Sequence, residues 1–133
     1  MTEDQDRDER QQQRFPFDGL HVYQRAQEAW EVARESLGSD PLEGEVEEEI
    51  RRAAIGIARA SARSRTNGGF AAELENARGS LHAAAAIAEQ LGRAGSPIEE
   101  RLDALLAESA GMLGALIRSL GKSPAEAGKG VAA

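Results

Sequence analysis

A chain of 133 residues without cysteine favours one domain and excludes disulfides and thiolate metal sites. Hydrophobic residues make up 41% and aromatics only 4%, so a core must rest on Leu, Ile and Ala, which let helices pack toward the short end of the usual ~8–10 Å spacing. A net charge of -7 disfavours wholesale binding to phosphate backbones, and no run approaches the ~18 apolar residues of a membrane span.

Residues 1–14 contain no apolar side chain after Met1 and are dense in charge and Gln. Such a segment cannot bury enough surface to offset its ordering entropy, so a disordered leader is expected there. It also lacks the apolar stretch of a signal peptide, which makes the cytoplasm the expected compartment and gives no reason for a membrane partner. The bundle domain is expected over 15–121 and a flexible tail over 122–133.

Four segments with helical period follow. In the first, Leu20, Tyr23, Ala26, Trp30, Ala33 and Leu37 recur at steps of three and four, which predicts a buried stripe with Tyr23 and Trp30 in it. Gly38 stands where a left-handed glycine would stop the helix. Asp40-Pro41-Leu42-Glu43 reads as a capping box with proline at the first turn of the second helix. The second stripe is Val46, Ile50, Ala53, Ile57, Ala60 and Ser64, and it runs into a turn at Thr66-Asn67-Gly68-Gly69.

The third stripe has no slip: Phe70, Leu74, Ala77, Leu81, Ala84, Ala88 and Leu91, closed by Gly92 and Gly95. Ser96-Pro97-Ile98-Glu99 repeats the capping box. Ile98, Leu102, Leu105, Ser109, Met112, Leu116 and Leu120 then form the fourth stripe, with Gly121 as its stop. Strand signals are absent. Four amphipathic helices joined by short turns predict an all-α, antiparallel up-down-up-down four-helix bundle with coiled-coil-like crossing near +20°.

Two features exceed what a minimal bundle requires. The fourth helix adds Leu106, Leu113 and Ile117 beside its stripe, and the third adds Ala83, Ala86 and Ile87. A widened face either meets two neighbours within one bundle or forms a surface between subunits, which makes Leu106, Leu113, Ile117 and Ile87 the candidate oligomer contacts. The second helix crowds Glu43, Glu45, Glu47, Glu48 and Glu49 into its first turns and carries Arg51, Arg52, Arg59, Arg63 and Arg65 after them. Acid-first, base-last order complements the helix macrodipole. At about 100° per residue, however, Arg52, Arg59 and Arg63 also share a narrow stripe away from the core face. With Arg51 and Arg65 in support, these guanidinium groups could grip RNA phosphates or the carboxylates of a protein partner.

Sites for chemistry are sparse. The two histidines, His21 and His82, lack the Glu-x-x-His pattern of a bundle di-metal centre, and no core stripe contains Asp or Glu. Asp18-Gly19-Leu20-His21 sits at a helix start, where Asp18 reads as a cap. Serines such as Ser61, Ser64, Ser80 and Ser109 lack a recognisable base and orienting acid, and no phosphate-loop pattern occurs. The expectation is a protein with no catalytic site, no metal and no cofactor.

Phe17-Asp18-Gly19-Leu20-His21-Val22-Tyr23-Gln24-Arg25-Ala26 resembles the opening motif of the four-helix-bundle proteins encoded in intervening sequences of bacterial 23S rRNA genes. Arg51-Arg52-Ala53-Ala54-Ile55-Gly56-Ile57 resembles that family's Arg-Arg-Ala-Ala-x-Ser-Ile. Phe70 with Gly79-Ser80, Leu91-Gly92 and Met112-Leu113-Gly114-Ala115-Leu116-Ile117 extend the likeness over about residues 15–121. Near the end of the second helix the family reads Asn-Ile-Ala-Glu-Gly, whereas this chain has Ala60-Ser61-Ala62-Arg63-Ser64, and Gly69 stands where the family has an acid. The resemblance implies an up-down bundle assembled as a ring-like homopentamer. It also implies kinship with accessory proteins of diversity-generating retroelements, which partner a reverse transcriptase and nucleic acid. Those relatives are basic and this chain is acidic, so the assembly is carried over and the nucleic-acid role is not. The leading expectation is therefore a self-assembling interaction module that contacts itself or another protein; the alternative is an RNA-binding accessory protein using the arginine stripe.

Overall fold

The computed structural model describes residues 20–63 and 68–120. The leader at 1–14, the tail at 122–133, and Arg65, Ser64 and Gly121 all lie outside them. The described residues form four helices: α1 (His21–Ser36), α2 (Pro41–Ser61), α3 (Gly68–Arg93) and α4 (Glu100–Leu120). Each packs on the next, and α4 returns to α1, which closes an up-down-up-down four-helix bundle. The α2–α3 pairing is much the most extensive of the four.

The helix ends show how local chemistry sets the frame. Asp40 accepts a hydrogen bond from the Leu42 backbone N–H at 2.8 Å, and Pro41 occupies the first turn of α2, as its sequence predicts. Glu43, expected to reach back to Asp40, instead accepts from the Gly38 N–H. Gly38 is correspondingly not a left-handed stop: α1 ends at Ser36, Leu37 is extended, and its N–H donates to the Ala33 carbonyl at 2.9 Å.

The left-handed glycine is Gly95, with φ of 92°. Ser96 N–H donates to Leu91 O at 2.8 Å and Gly95 N–H to Gly92 O at 3.1 Å, the two bonds of a Schellman motif that ends α3. Unlike Asp40 before Pro41, Ser96 does not cap a helix at once. The chain runs on through Pro97 and Ile98, and α4 begins four residues after the predicted cap, where Asp103 N–H donates to Glu99 O at 3.1 Å. Ile98 is half-buried against the core ahead of the helix.

The buried face of α3 is the predicted stripe, residue for residue, from Phe70 to Leu91. On α2, Val46, Ile50, Ala53, Ile57 and Ala60 are buried as expected, joined by Ala54 and Gly56. The outer pair differs. In α1 the buried residues are Val22, Ala26, Ala29, Val32 and Ala33, while Leu20, Tyr23, Trp30 and Leu37 pack on the core from its margin. Small residues fill the centre of that contact and the large rings stand at its edge, with the Trp30 indole N–H buried and without a hydrogen-bond partner among the described residues. In α4 the face passes from Leu102 and Leu105 to Leu106, Ser109, Leu113 and Gly114, leaving Met112, Leu116 and Leu120 partly covered. At about 100° per residue Leu120 returns to the angle of Leu102 and only Met112 swings well away, so Met112 is partly covered by rotation and Leu116 and Leu120 by their place in the last turns. Burying each of the large side chains contributes on the order of 1.5–3 kcal/mol.

Candidate functional site

The rotation that sends Phe70, Leu74, Ala77 and Leu81 into the core carries Glu73, Asn76 and Ser80, one position before the last three, onto the flank of α3 that meets α2. Opposite them, burial of Ala53, Gly56, Ile57 and Ala60 brings Arg52 and Arg59 to the same flank of α2. The helices approach closely between the two rows: a Cβ on Gly56 would lie 3.5 Å from that of Ala77 and 3.8 Å from the Glu73 carbonyl oxygen. The result is a cleft of about 350 Å³. Arg51, Arg52 and Arg59 form one wall, Glu73, Asn76 and Ser80 the other, and Ile55, Gly56 and Ala77 the floor.

Arg52 and Arg59 of the predicted arginine stripe are exposed and line this cleft, Arg63 is exposed and reaches its Glu73, and each faces a carboxylate. Arg63 lies 3.5 Å and Arg59 3.9 Å from the two oxygens of Glu73, whose side chain is only 16% exposed. Arg52 stands 3.5 Å from Glu48 and 3.2 Å from Glu49. Arg51 donates to both oxygens of Glu48, with its Nε at 3.0 Å. Hydrogen bonding from Arg51 holds the Glu48 carboxyl below the ordinary carboxylate range, and the same bond raises Arg51. Arg65, the fifth predicted member, lies outside the described residues. The cleft is thus of mixed charge. An incoming carboxylate or phosphate must displace Glu73, Glu48 or Glu49 before it gains full access to a guanidinium group.

Sequence reading missed Glu73, Asn76 and Ser80. Their only signal was a spacing of three and four that shadows the core stripe by one residue, and the choice of partner helix is a tertiary fact.

The candidate oligomer contacts divide. Leu106 is 2% and Leu113 0% exposed within a single copy. For these two the widened face serves the bundle itself, because α4 meets both α3 and α1. Ile87 and Ile117 are half-buried, packed on the core with one side toward the surface.

Register explains a second partly covered region. Arg25 bonds Glu108 at 3.0 Å and Arg101 bonds Glu28 at 2.6 Å, which sets α1 and α4 antiparallel. His21, one turn before Arg25, therefore lies level with Met112, one turn after Glu108, and the last two turns of α4 pass beyond the start of α1. Leu116, Ile117 and Leu120 lie there and Met112 at its edge, each half-buried.

His21 and His82 are both exposed, one at the start of α1 and the other midway along α3. Among the described residues no three His, Cys, Asp or Glu side chains come together as a metal site would require, and no described helix is long and apolar enough to cross a membrane. Comparison of the chain with protein-family models, with curated proteins and with solved structures returns no match.

Proposed function

We propose that the chain is a non-enzymatic interaction module that self-assembles, with the homopentamer implied by its family resemblance as the stoichiometry. The observation that supports this reading is the end of α4, where Leu116, Ile117 and Leu120 extend past the start of α1 and, with Met112 level with it, stay half-covered among the described residues. A second copy laid against those turns buries them as a core would, and Ile87 on α3 widens the same class of surface. The mixed-charge cleft between α2 and α3 adds specificity rather than affinity, since its exposed ion pairs contribute little each.

Mass in solution tests the reading, by size-exclusion chromatography with light scattering at low and high salt. A closed ring of five copies of 14.2 kDa has a mass of about 71 kDa. A concentration-independent 14.2 kDa species at both salts would end the self-assembly proposal.

The RNA-binding alternative has against it the net charge of -7 and the carboxylates of Glu48, Glu49 and Glu73 seated on the described arginines. Were it correct, binding would fall steeply with salt, and Gln at positions 52, 59 and 63 together would abolish it.

A further inference from the structure

Away from the α2–α3 cleft, on the flank shared by α3 and α4, two guanidinium groups meet over a glycine. A Cβ added to Gly114 would stand 3.3 Å from Arg118 Nη1 and 3.8 Å from Arg78 Nε. Gly114 is itself buried, so these two long side chains roof a bare stretch of α4 backbone. Arg118 comes from the next turn of α4, and Arg78 reaches across from α3.

What sets this pair apart is its lack of acid. The described residues include ten arginines. Seven of them are ion-paired, and Arg34 lies over the Trp30 ring at 5.1 Å. Arg78 and Arg118 alone have neither kind of partner among the described residues, although the chain as a whole carries seven surplus negative charges. Glu75, one turn before Arg78 and beside it in a shallow surface hollow, makes no ion pair with it. Two like charges directed at one point repel each other unless an anion stands between them.

We propose that Arg78 and Arg118 form an oxyanion site over Gly114 that takes a phosphate group. Two guanidinium groups balance a phosphate monoester, which carries about -1.5 to -2 near neutral pH, better than they balance a single carboxylate. Their planar forks supply parallel donors to oxygens of one anion. The missing side chain at position 114 leaves room for the guanidinium groups to close on it. The site does not rest on the self-assembly reading: Arg118 shares the last turns of α4 with Ile117 and Leu120, but neither arginine is among the apolar residues that reading uses.

Calorimetric titration with inorganic phosphate tests the assignment on the full chain, with sulfate, glycerol phosphate and acetate in parallel. Phosphate and sulfate should bind, and acetate should bind at least about tenfold more weakly, the ratio that one lost charge-assisted bond implies. Glycerol phosphate binding as well as inorganic phosphate identifies the group of a larger ligand as the target; failure of glycerol phosphate alone confines the site to the free ion. Arg78→Gln and Arg118→Gln should each weaken binding about tenfold or more. Gly114→Ala serves where folding is in question: Ala favours helix over Gly, so thermal stability should hold or rise while phosphate affinity falls. Absence of phosphate binding at about 10 mM, or affinity unchanged in both arginine variants, overturns the proposal. So does acetate binding as tightly as phosphate.

Discussion

The two halves of the bundle are built on different principles. Between α2 and α3 the contact includes the approach of Gly56 to Ala77, on buried faces that also carry Ala53, Ala60 and Ala84 with Ile57, Phe70 and Leu81. Around α4 it is made by Leu102, Leu105, Leu106 and Leu113. Small residues draw the first pair together along its length, which accounts for the extent of that pairing. The partners of α4 meet it less fully, and half-exposed apolar residues remain at its end. A seam of small residues tolerates no added volume, whereas a leucine face has slack at its margins.

The largest test of this contrast adds the same side chain to each region. Ala77→Leu forces a branched chain into the point where Gly56 approaches, and should cost about 1–3 kcal/mol or more. Ala110→Leu enters the hollow beside Leu81, Leu106 and Ala107 on the α3–α4 side, and should change stability by less than about 0.5 kcal/mol. Urea unfolding midpoints at equal slope read both. Equal losses would erase the distinction between seam and leucine face.

A smaller effect of opposite sign sharpens it. Ser109 is the one polar residue in the described core, fully buried, and its hydroxyl has no hydrogen-bond partner. Ser109→Ala removes an unanswered hydroxyl and adds helix propensity, so it should stabilise the chain by about 1 kcal/mol. A destabilised variant would mean that α4 needs that oxygen.

The smallest effect lies on the exposed side of α2. Because Arg51 lowers the Glu48 carboxyl, the folded chain binds that proton less readily than the unfolded chain. The contribution is present above the ordinary carboxylate range and is lost as pH falls through the lowered folded value. The stability gap between the parent chain and Glu48→Gln should therefore be small and flat near neutrality and close in acid, as read from melts at a series of pH values. A gap that widens in acid would contradict the sign.

The same division decides how much was legible in the sequence. On α3 the apolar residues keep one unbroken spacing, so steps of three and four located all seven buried positions from Phe70 to Leu91. On α1, alanines surround the aromatic residues, and period alone does not say whether Trp30 or Ala29 points at the centre; size decided that, through packing. On α4 the buried face continues from Ser109 to Leu113 rather than to Met112, and in sequence Leu113 looked like surplus surface. The arginine stripe was visible as a pattern on one helix. Its neutralisation by Glu73 was not, because that pairing crosses from α2 to α3. Arg78 and Arg118 are 40 positions apart in the chain and nothing local joins them.

The α2–α3 seam also has a kinetic meaning. Its two helices are consecutive in the chain, so the tightest contact in the molecule is among those whose closure costs the least loop entropy. The closing contact of α1 with α4 joins the first and last helices and is bordered by the exposed Arg25–Glu108 and Arg101–Glu28 pairs. The early nucleus thus belongs to the α2–α3 hairpin, and the α1–α4 contact is the last to close and the first to open.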